Sequence, residues 1–365
     1  MKIIHLISSL GNGGAEKFVI ELANEQSKTH DVTIVSFQNI NDEMIFPKLI
    51  PQYFKLIQLG KKKGLQLNLY WKLYKLFRRI QTDIVHFHLD STIKYIIPFL
   101  FIFDKVKYVY TIHSKLTQLN VNSFRLLNTF FHSKKNIKYV CISSKIKTEF
   151  INHFKNLCFY NIPNGVNKIQ KTNLYEKVKQ EIRKYKKNEA TKLAISVGNV
   201  DDIKNRILLV KAFSKFKQEN IVAIVLGKTV KEDSKIMQEI RKNNSGNVYF
   251  LGLKENVGDF LNEADFFVMT SLFEGMPISA LEALSVGLPM VSTPAGGMVD
   301  VVEDGINGFI SDDFTLENFV KQISSFLDLD KKELQEMKDR NIEKHRNNYS
   351  IELCSENYIE LYTAY

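Results

Sequence analysis

The chain has 365 residues, 44% of them hydrophobic and 25% charged, which suits two domains of ordinary size and excludes a disordered or fibrous protein. Its three cysteines, Cys141, Cys158 and Cys354, are far apart and in no metal-ligand spacing, so a reduced cytoplasmic setting is expected, without a disulfide framework or thiolate metal centre. The net charge of +10 is concentrated: residues 1–165 hold 23 Lys and Arg against 10 Asp and Glu, which points to an anionic partner for the first half.

Lys2–Ser8 opens the chain as an apolar strand, so no signal peptide is predicted. It runs into S-L-G-N-G-G-A-E-K, where Gly11, Gly13 and Gly14 precede a helix starting near Ala15 with the stripe Phe18, Ile20, Leu22. A strand over Asp31–Phe37 completes a βαβ opening. The glycine turn alone reads equally as a tight turn or as a loop that approaches phosphate. Residues 61–80 place Leu69, Leu73, Leu76 and Ile80 at helical spacing, with Lys72, Lys75 and Arg79 on another face, which predicts an amphipathic helix preceded by Lys61, Lys62 and Lys63. Two readings of it stay open: a surface helix docked on the sheet, or an interfacial segment with Tyr70, Trp71 and Tyr74 at the headgroup level of a membrane. Tyr95–Phe103 is apolar but too short to span a bilayer, which takes about 20 residues, and is predicted as a buried helix between two strands. Asp83–His88 and Lys107–Ile112 read as buried strands, the second delivering His113 just past its end. Histidine exchanges hydrogen bonds near neutral pH, whereas His86 and His88 are expected to be supporting core groups. Tyr139–Ser143 and Ser144–Phe154 give the last strand and helix of the first half, and Asn164-Gly165 marks a turn.

Residues 168–192 are lysine-rich and predict a solvated helix bridging two domains. Leu193–Val197 is a strand followed by G-N-V-D-D-I-K-N-R; the adjacent carboxylates Asp201 and Asp202 point in different directions, so no metal site is predicted there. Ile221–Leu226 and Val248–Leu253 are further strands, with a helix over Ser234–Lys242 between them. Asp265–Thr270 is a short strand, Ser271–Met276 a loop with one carboxylate, and Pro277 the first residue of a helix whose inward stripe is Ile278, Leu281, Leu284 and Ser285, closed by Gly287. Leu288–Thr293, Pro294–Gly297 and Met298–Glu303 repeat strand, loop and helix. Helices over Leu316–Leu327 and Leu334–Arg346 and a terminal segment Tyr349–Tyr365 follow.

The elements predict an α/β chain with two doubly wound parallel sheets. Loops that follow strands emerge at the carboxyl edge of such a sheet, where ligands bind. Glu274 therefore points into a ligand crevice, and Glu282, about a turn and a half into the following helix, looks toward the same place. The amides of Gly275, Met276 and the first turn that Pro277 opens, Ile278 among them, form a positive helix end. Two carboxylates and a helix N-terminus around one hole suit a polyhydroxylated, phosphorylated molecule.

E-G-M-P-I-S-A-L-E-A-L-S-V-G-L-P-M resembles the E-G-x-P-x-x-x-x-E-A-x-x-x-G-x-P-V signature of retaining glycosyltransferases of family 4. The resemblance implies the GT-B fold, with Rossmann-like domains over 1–165 (acceptor) and 166–345 (nucleotide-sugar) facing across a cleft, and residues 346–365 returning to the first. It implies that Glu274 and its amide neighbours hold the transferred sugar, that Glu282 binds the ribose, and that Gly252 and Leu253 lie by the base. It places Gly13 and Gly14 near the donor diphosphate and acceptor, and His113, in the pattern T-x-H, at the sugar. Lys204 matches the lysine that meets the diphosphate, but Asn199 stands where the family has arginine. Arg206 either supplies that charge or faces outward on its helix.

The resemblance implies transfer of a sugar from an activated donor, UDP-linked, to an acceptor hydroxyl with retention, and no metal or other cofactor is expected. The acceptor class is a lipid-linked sugar or an oligosaccharide in cell-surface polysaccharide or glycolipid assembly. An anionic membrane surface is the expected partner of the basic first half, at the inner face of the cytoplasmic membrane, and nucleic acid is not. Two other readings stay open: a non-hydrolysing sugar-nucleotide epimerase of the same architecture, and a nucleotide-sugar-binding subunit in which Asn199 marks lost chemistry. A nicotinamide dehydrogenase is disfavoured, since no complete G-x-G-x-x-G with a distant acidic partner is present.

Overall fold

Runs of apolar residues with no polar alternation suit strands covered on both faces, as in parallel sheets, and both sheets of the protein are built this way. The computed structural model describes residues 1–40, 53–62, 64–116, 137–155 and 157–364. The chain divides into two units, Met1–Val166 with Tyr349–Tyr365, and Asn167–Asn348.

The first unit contains β1 (Lys2–Ile7), β2 (Asp31–Ser36), β3 (Lys55–Gln58), β4 (Ile84–His88), β5 (Lys107–Ile112), β6 (Ile137–Cys141) and β7 (Phe159–Asn161). Among the described residues they form one parallel sheet in the order β3-β2-β1-β4-β5-β6-β7. The second unit contains β8 (Lys192–Val197), β9 (Ile221–Leu226), β10 (Val248–Gly252), β11 (Phe266–Met269), β12 (Met290–Ser292) and β13 (Gly308–Ile310). These run parallel in the order β10-β9-β8-β11-β12-β13. Strand order reverses between β1 and β4 in one sheet and between β8 and β11 in the other. At such a reversal the flanking connections leave for opposite faces, opening a crevice at the carboxyl ends.

The terminal helix Ile351–Thr363 belongs to the first unit, against the helix Gly14–Gln26. Its start is fixed twice: Ser350 Oγ accepts the amide of Leu353, and the backbone of Val166 exchanges hydrogen bonds with Tyr349 and Ile351. Tyr358 and Tyr362 from this helix are fully buried. Each such aromatic contributes roughly 2 kcal/mol by burial alone.

Several expectations are corrected. The amphipathic helix begins at Asn68 instead of Lys61, and Lys63 lies outside the described residues. The apolar run 95–103 is two short helices, Ile93–Ile96 and Phe99–Ile102, flanking Pro98, which lacks the amide a continuous helix needs. Phe101 and Ile102 are half-exposed, so this run is only partly covered. The lysine-rich stretch forms the helix Tyr175–Arg183, which buries Val178 and Ile182. It is held inside the second unit by Thr172 bonded to Asp259 and Tyr175 Oη donating to Glu263, so it does not bridge two domains. Pro277 is extended (ψ 114°) and caps its helix, which starts at Ile278.

Candidate active site

In the second unit the loop after β11 is shaped by the loop after β12. Gly296 has φ +56° and lies against the Glu274 carbonyl so closely that a Cβ would overlap it, and a Cβ on Gly297 would strike the Gly275 carbonyl. The Gly297 amide donates to Glu274 O at 3.1 Å, and Thr293 Oγ1 donates to Ser271 O at 2.6 Å. Backbone thus packs on backbone, and the Glu274 loop has little freedom. The same loop is tied to β8's loop, where the Leu272 amide donates to Ile203 O and Thr270 Oγ1 to Lys204 O.

This framework delivers Glu274, only 8% exposed, into a charged cluster. Its Oε1 accepts from Lys204 Nζ at 2.6 Å and from Ser271 Oγ at 2.6 Å. Lys204 is held by its own amide donating to Asp201 Oδ1 at 2.8 Å, so Asp201 shapes a turn. Arg206, at the first position of the helix Arg206–Ser214, is 2% exposed and folds inward, donating to Ser196 Oγ and to Gly198 O. The outward-facing reading of Arg206 is therefore overturned. Burial pulls its guanidinium down to about 10, against the opposing pull of Glu274 and Asp201, so it stays charged at neutral pH. Its Nε has no hydrogen-bond partner among the described residues.

Asn199 is exposed, and its Oδ1 accepts the amide of Lys228 at 3.0 Å. It ties the loops after β8 and β9 together, a neutral staple where a cation was looked for. Gly252, at the end of β10, has φ +71° and accepts the Gly227 amide, while Leu253 beside it is 47% exposed. Met276 is 4% exposed, Ile278 7% and Glu282 5%. No side chain caps the helix Ile278–Ser285 and Pro277 has no N–H; the amides of Ala280 and Leu281 donate to the Pro277 carbonyl, which leaves those of Ile278 and Ser279 at the positive helix end. Glu274, Lys204 and Arg206 are brought together by the strand-order reversal at β8 and β11; Asn199 and Gly252 stand on neighbouring loops of the same edge.

In the first unit Gly13 caps the helix Gly14–Gln26, and the Glu16 carboxylate folds back against Gly13, with burial raising its proton affinity. His113 follows β5 and packs edge-on to Phe18 at 5.8 Å. Its Nε2 lies 3.2 Å from His88 Nδ1, and His88 Nε2 lies 3.2 Å from His5 Nδ1. His5 Nε2 meets Gln26 Oε1 at 2.8 Å, while His86 meets Tyr362 Oη at 2.6 Å and Thr111 Oγ1 at 2.7 Å. Burial pushes His5 and His113 down to about 4, and His86 and His88 well below the usual range, where their neighbours lower them further. All four are neutral at pH 7. The ring nitrogens of His5, His86 and His88 lie within 4.8 Å of one another, a spacing open to a metal ion. Yet all six of those nitrogens already have hydrogen-bond partners, and no carboxylate is among them to balance a dication, so the group fits a polar network better than a metal centre.

The sequence reading missed His5, Gln26 and Glu16, and left Arg206 open between an inward and an outward position. The available signal was a polar residue inside an otherwise apolar run, as in K-I-I-H-L-I.

Two family models match: "Glycosyltransferase Family 4" over residues 12–168 and "Glycosyl transferases group 1" over residues 177–345. The chain is similar to an undecaprenol-diphosphate-linked GalNAc-GalNAc-diNAcBac α-1,4-N-acetylgalactosaminyltransferase of Campylobacter jejuni, 26% identical over 85% of this chain and 84% of that one. It is also similar to a UDP-Gal:GlcNAc-diphosphoundecaprenol α-1,3-galactosyltransferase of Escherichia coli, 25% identical over 88% and 86% of the two chains. Among solved structures, HepE of Anabaena in complex with UDP superposes with a TM-score of 0.82 over 100% of both chains at 18% identity.

Proposed function

The chain belongs to glycosyltransferase family 4 and has the GT-B fold, and from that premise we propose that it transfers a sugar from a UDP-sugar to a hydroxyl of a polyprenyl-diphosphate-linked glycan, with retained configuration. The observation that carries this reading is the partly buried Lys204–Glu274 pair, with the buried Arg206 close enough to feel the charge of Glu274, at the carboxyl edge of β8 and β11. The bond between the anomeric carbon and the diphosphate oxygen breaks, and the acceptor oxygen bonds to that carbon on the same face. The acceptor's proton passes to the departing phosphate oxygen. Charge grows on the leaving diphosphate, so preorganised cations are worth most there. Lys204 and Arg206 supply them from the chain itself, which supports a reaction that needs no metal. Glu274 and the amides of Gly275, Met276 and Ile278 take sugar hydroxyls. Glu282 takes the ribose, Gly252 and Leu253 flank the base, and Asn199 holds the diphosphate loop in shape. Gly13 and Gly14 approach the acceptor side, and His113 accepts from a sugar hydroxyl.

Isothermal calorimetry with UDP and a transfer assay test the division of roles. Glu274→Gln should keep UDP affinity and lose most transfer, whereas Glu282→Ala should weaken UDP binding first. Equal loss of UDP affinity in both variants would refute it. Donor turnover without acceptor would favour an epimerase instead.

The helix Asn68–Ile80 supports a membrane-facing role for the first unit. It buries Leu69, Leu73, Leu76 and Phe77, while Trp71 stays 59% exposed, stacked on Tyr74 with Lys75 over its ring. Leu65, Leu67, Phe101 and Ile102 are exposed as well. Aromatic and basic side chains together on an exposed face suit an anionic bilayer surface. Neutralising Lys61, Lys62, Lys63, Lys72 and Lys75 should abolish binding to anionic vesicles; undiminished binding overturns the proposal. Among the described residues, no helix is long and apolar enough to cross a membrane.

A further inference from the structure

His113 stands at the end of a hydrogen-bonded chain, His113–His88–His5–Gln26, entirely within the first unit. A neutral imidazole has one donor and one acceptor nitrogen, so the tautomer of each ring dictates that of the next. The chain therefore has two proton orders, and its inner end selects between them. That end is Gln26, 1% exposed, whose amide is turned with Oε1 on His5 Nε2 at 2.8 Å and Nε2 toward Tyr362 Oη at 3.5 Å.

From this the whole sequence of protons follows. The Gln26 oxygen only accepts, so His5 carries its proton on Nε2 and accepts on Nδ1. His88 then donates from Nε2 and accepts on Nδ1, and His113 donates from Nε2. The Nδ1 of His113 has no partner among the described residues and is left as a bare acceptor. On the other side of Gln26, Tyr362 Oη accepts from the amide nitrogen and gives its proton to His86 Nδ1 at 2.6 Å. His86 Nε2 then donates to Thr111 Oγ1 at 2.7 Å, whose proton is free for Tyr358 Oη at 2.9 Å. No donor faces a donor anywhere along this path.

We propose that Gln26 is a positioning residue: through His5 and His88 it fixes His113 in the Nε2–H tautomer, so that His113 meets its ligand as a hydrogen-bond acceptor, suited to a sugar hydroxyl. The ligand part rests on the role given to His113 above; the tautomer part does not.

The test uses the full chain with ring-15N histidine and long-range proton–nitrogen correlation near pH 7.5, where each ring shows which nitrogen carries hydrogen. In the unsubstituted protein His5, His88 and His113 should all show protonated Nε2 and bare Nδ1; Nδ1–H on any of the three overturns the proposal without a variant. Gln26→Leu removes the acceptor at the inner end and should shift His113 to a tautomer mixture, and an unchanged Nε2–H signal overturns the role of Gln26. The same variant should lose about tenfold in kcat with donor KM nearly unmoved. A shifted tautomer with full turnover supports the relay and refutes the assignment of His113 to the sugar, so the two failures are distinguishable.

Discussion

Lowering the pH from about 7 to about 5 should strongly destabilise the first unit, because its histidines are neutral when folded and protonate when unfolded. His5 is fully buried and held at about 4, against 6.5 unperturbed. The unfolded chain therefore gains its proton near pH 6.5, and the folded chain only near pH 4. Stability is fully present above about 6.5, falls as the pH drops through this window, and levels off below the folded value. For one such histidine the loss between pH 7 and 5 is about 2 kcal/mol. His86 and His88 are equally buried and also held well below the usual range, so they add losses of the same sign. Even the loss at His5 is a sizeable part of the roughly 5–15 kcal/mol that holds a domain together. His113 keeps some exposed surface and is left out of this sum. Urea unfolding at a series of pH values measures the effect directly, since each extra proton bound by the unfolded state adds about 1.36 kcal/mol per pH unit to the slope. A slope above one proton around pH 5 is expected. A slope below one proton would show that the rings are not buried neutral and would refute the network.

Gly296→Ala forces a Cβ into the Glu274 carbonyl at φ +56°, so thermal unfolding should show a loss of about 2 kcal/mol or more, with transfer falling alongside. Lys204→Met leaves Glu274 buried without its cation; kcat should drop at least tenfold, with Lys204→Arg recovering part of it, and an active methionine variant would remove Lys204 from the mechanism. Exhaustive chelation should leave transfer intact in a radiolabelled-donor assay, and a loss restored by a divalent cation would contradict the cation roles of Lys204 and Arg206.

The strands and Glu274 were legible in the sequence because long apolar runs bounded by Gly and Pro have few alternative structures. β3, β7 and β13 were not: Lys55–Gln58, Phe159–Asn161 and Gly308–Ile310 are short and lie at the edges of their sheets, each with too few residues to form a pattern. Arg206 was ambiguous because a residue at a helix start can face either way, and burial of its charge depends on Ser196 and Gly198, which reach it only in three dimensions. Likewise His5 and Gln26 are twenty-one positions apart, and no periodicity announces that one bonds the other. His86 and His88 were placed correctly in the core, but Tyr358 and Tyr362, which pack on His86, come from beyond the second unit in the sequence.

That last point bears on how the protein is made. The second unit is one uninterrupted piece, Asn167–Asn348, and can settle while synthesis continues. The first cannot: Tyr358 and Tyr362, which pack on His86, lie beyond the whole of the second unit in the sequence and are synthesised after it. Domains usually mature in the order of the chain, but here the unit that starts first is completed after the one that starts second.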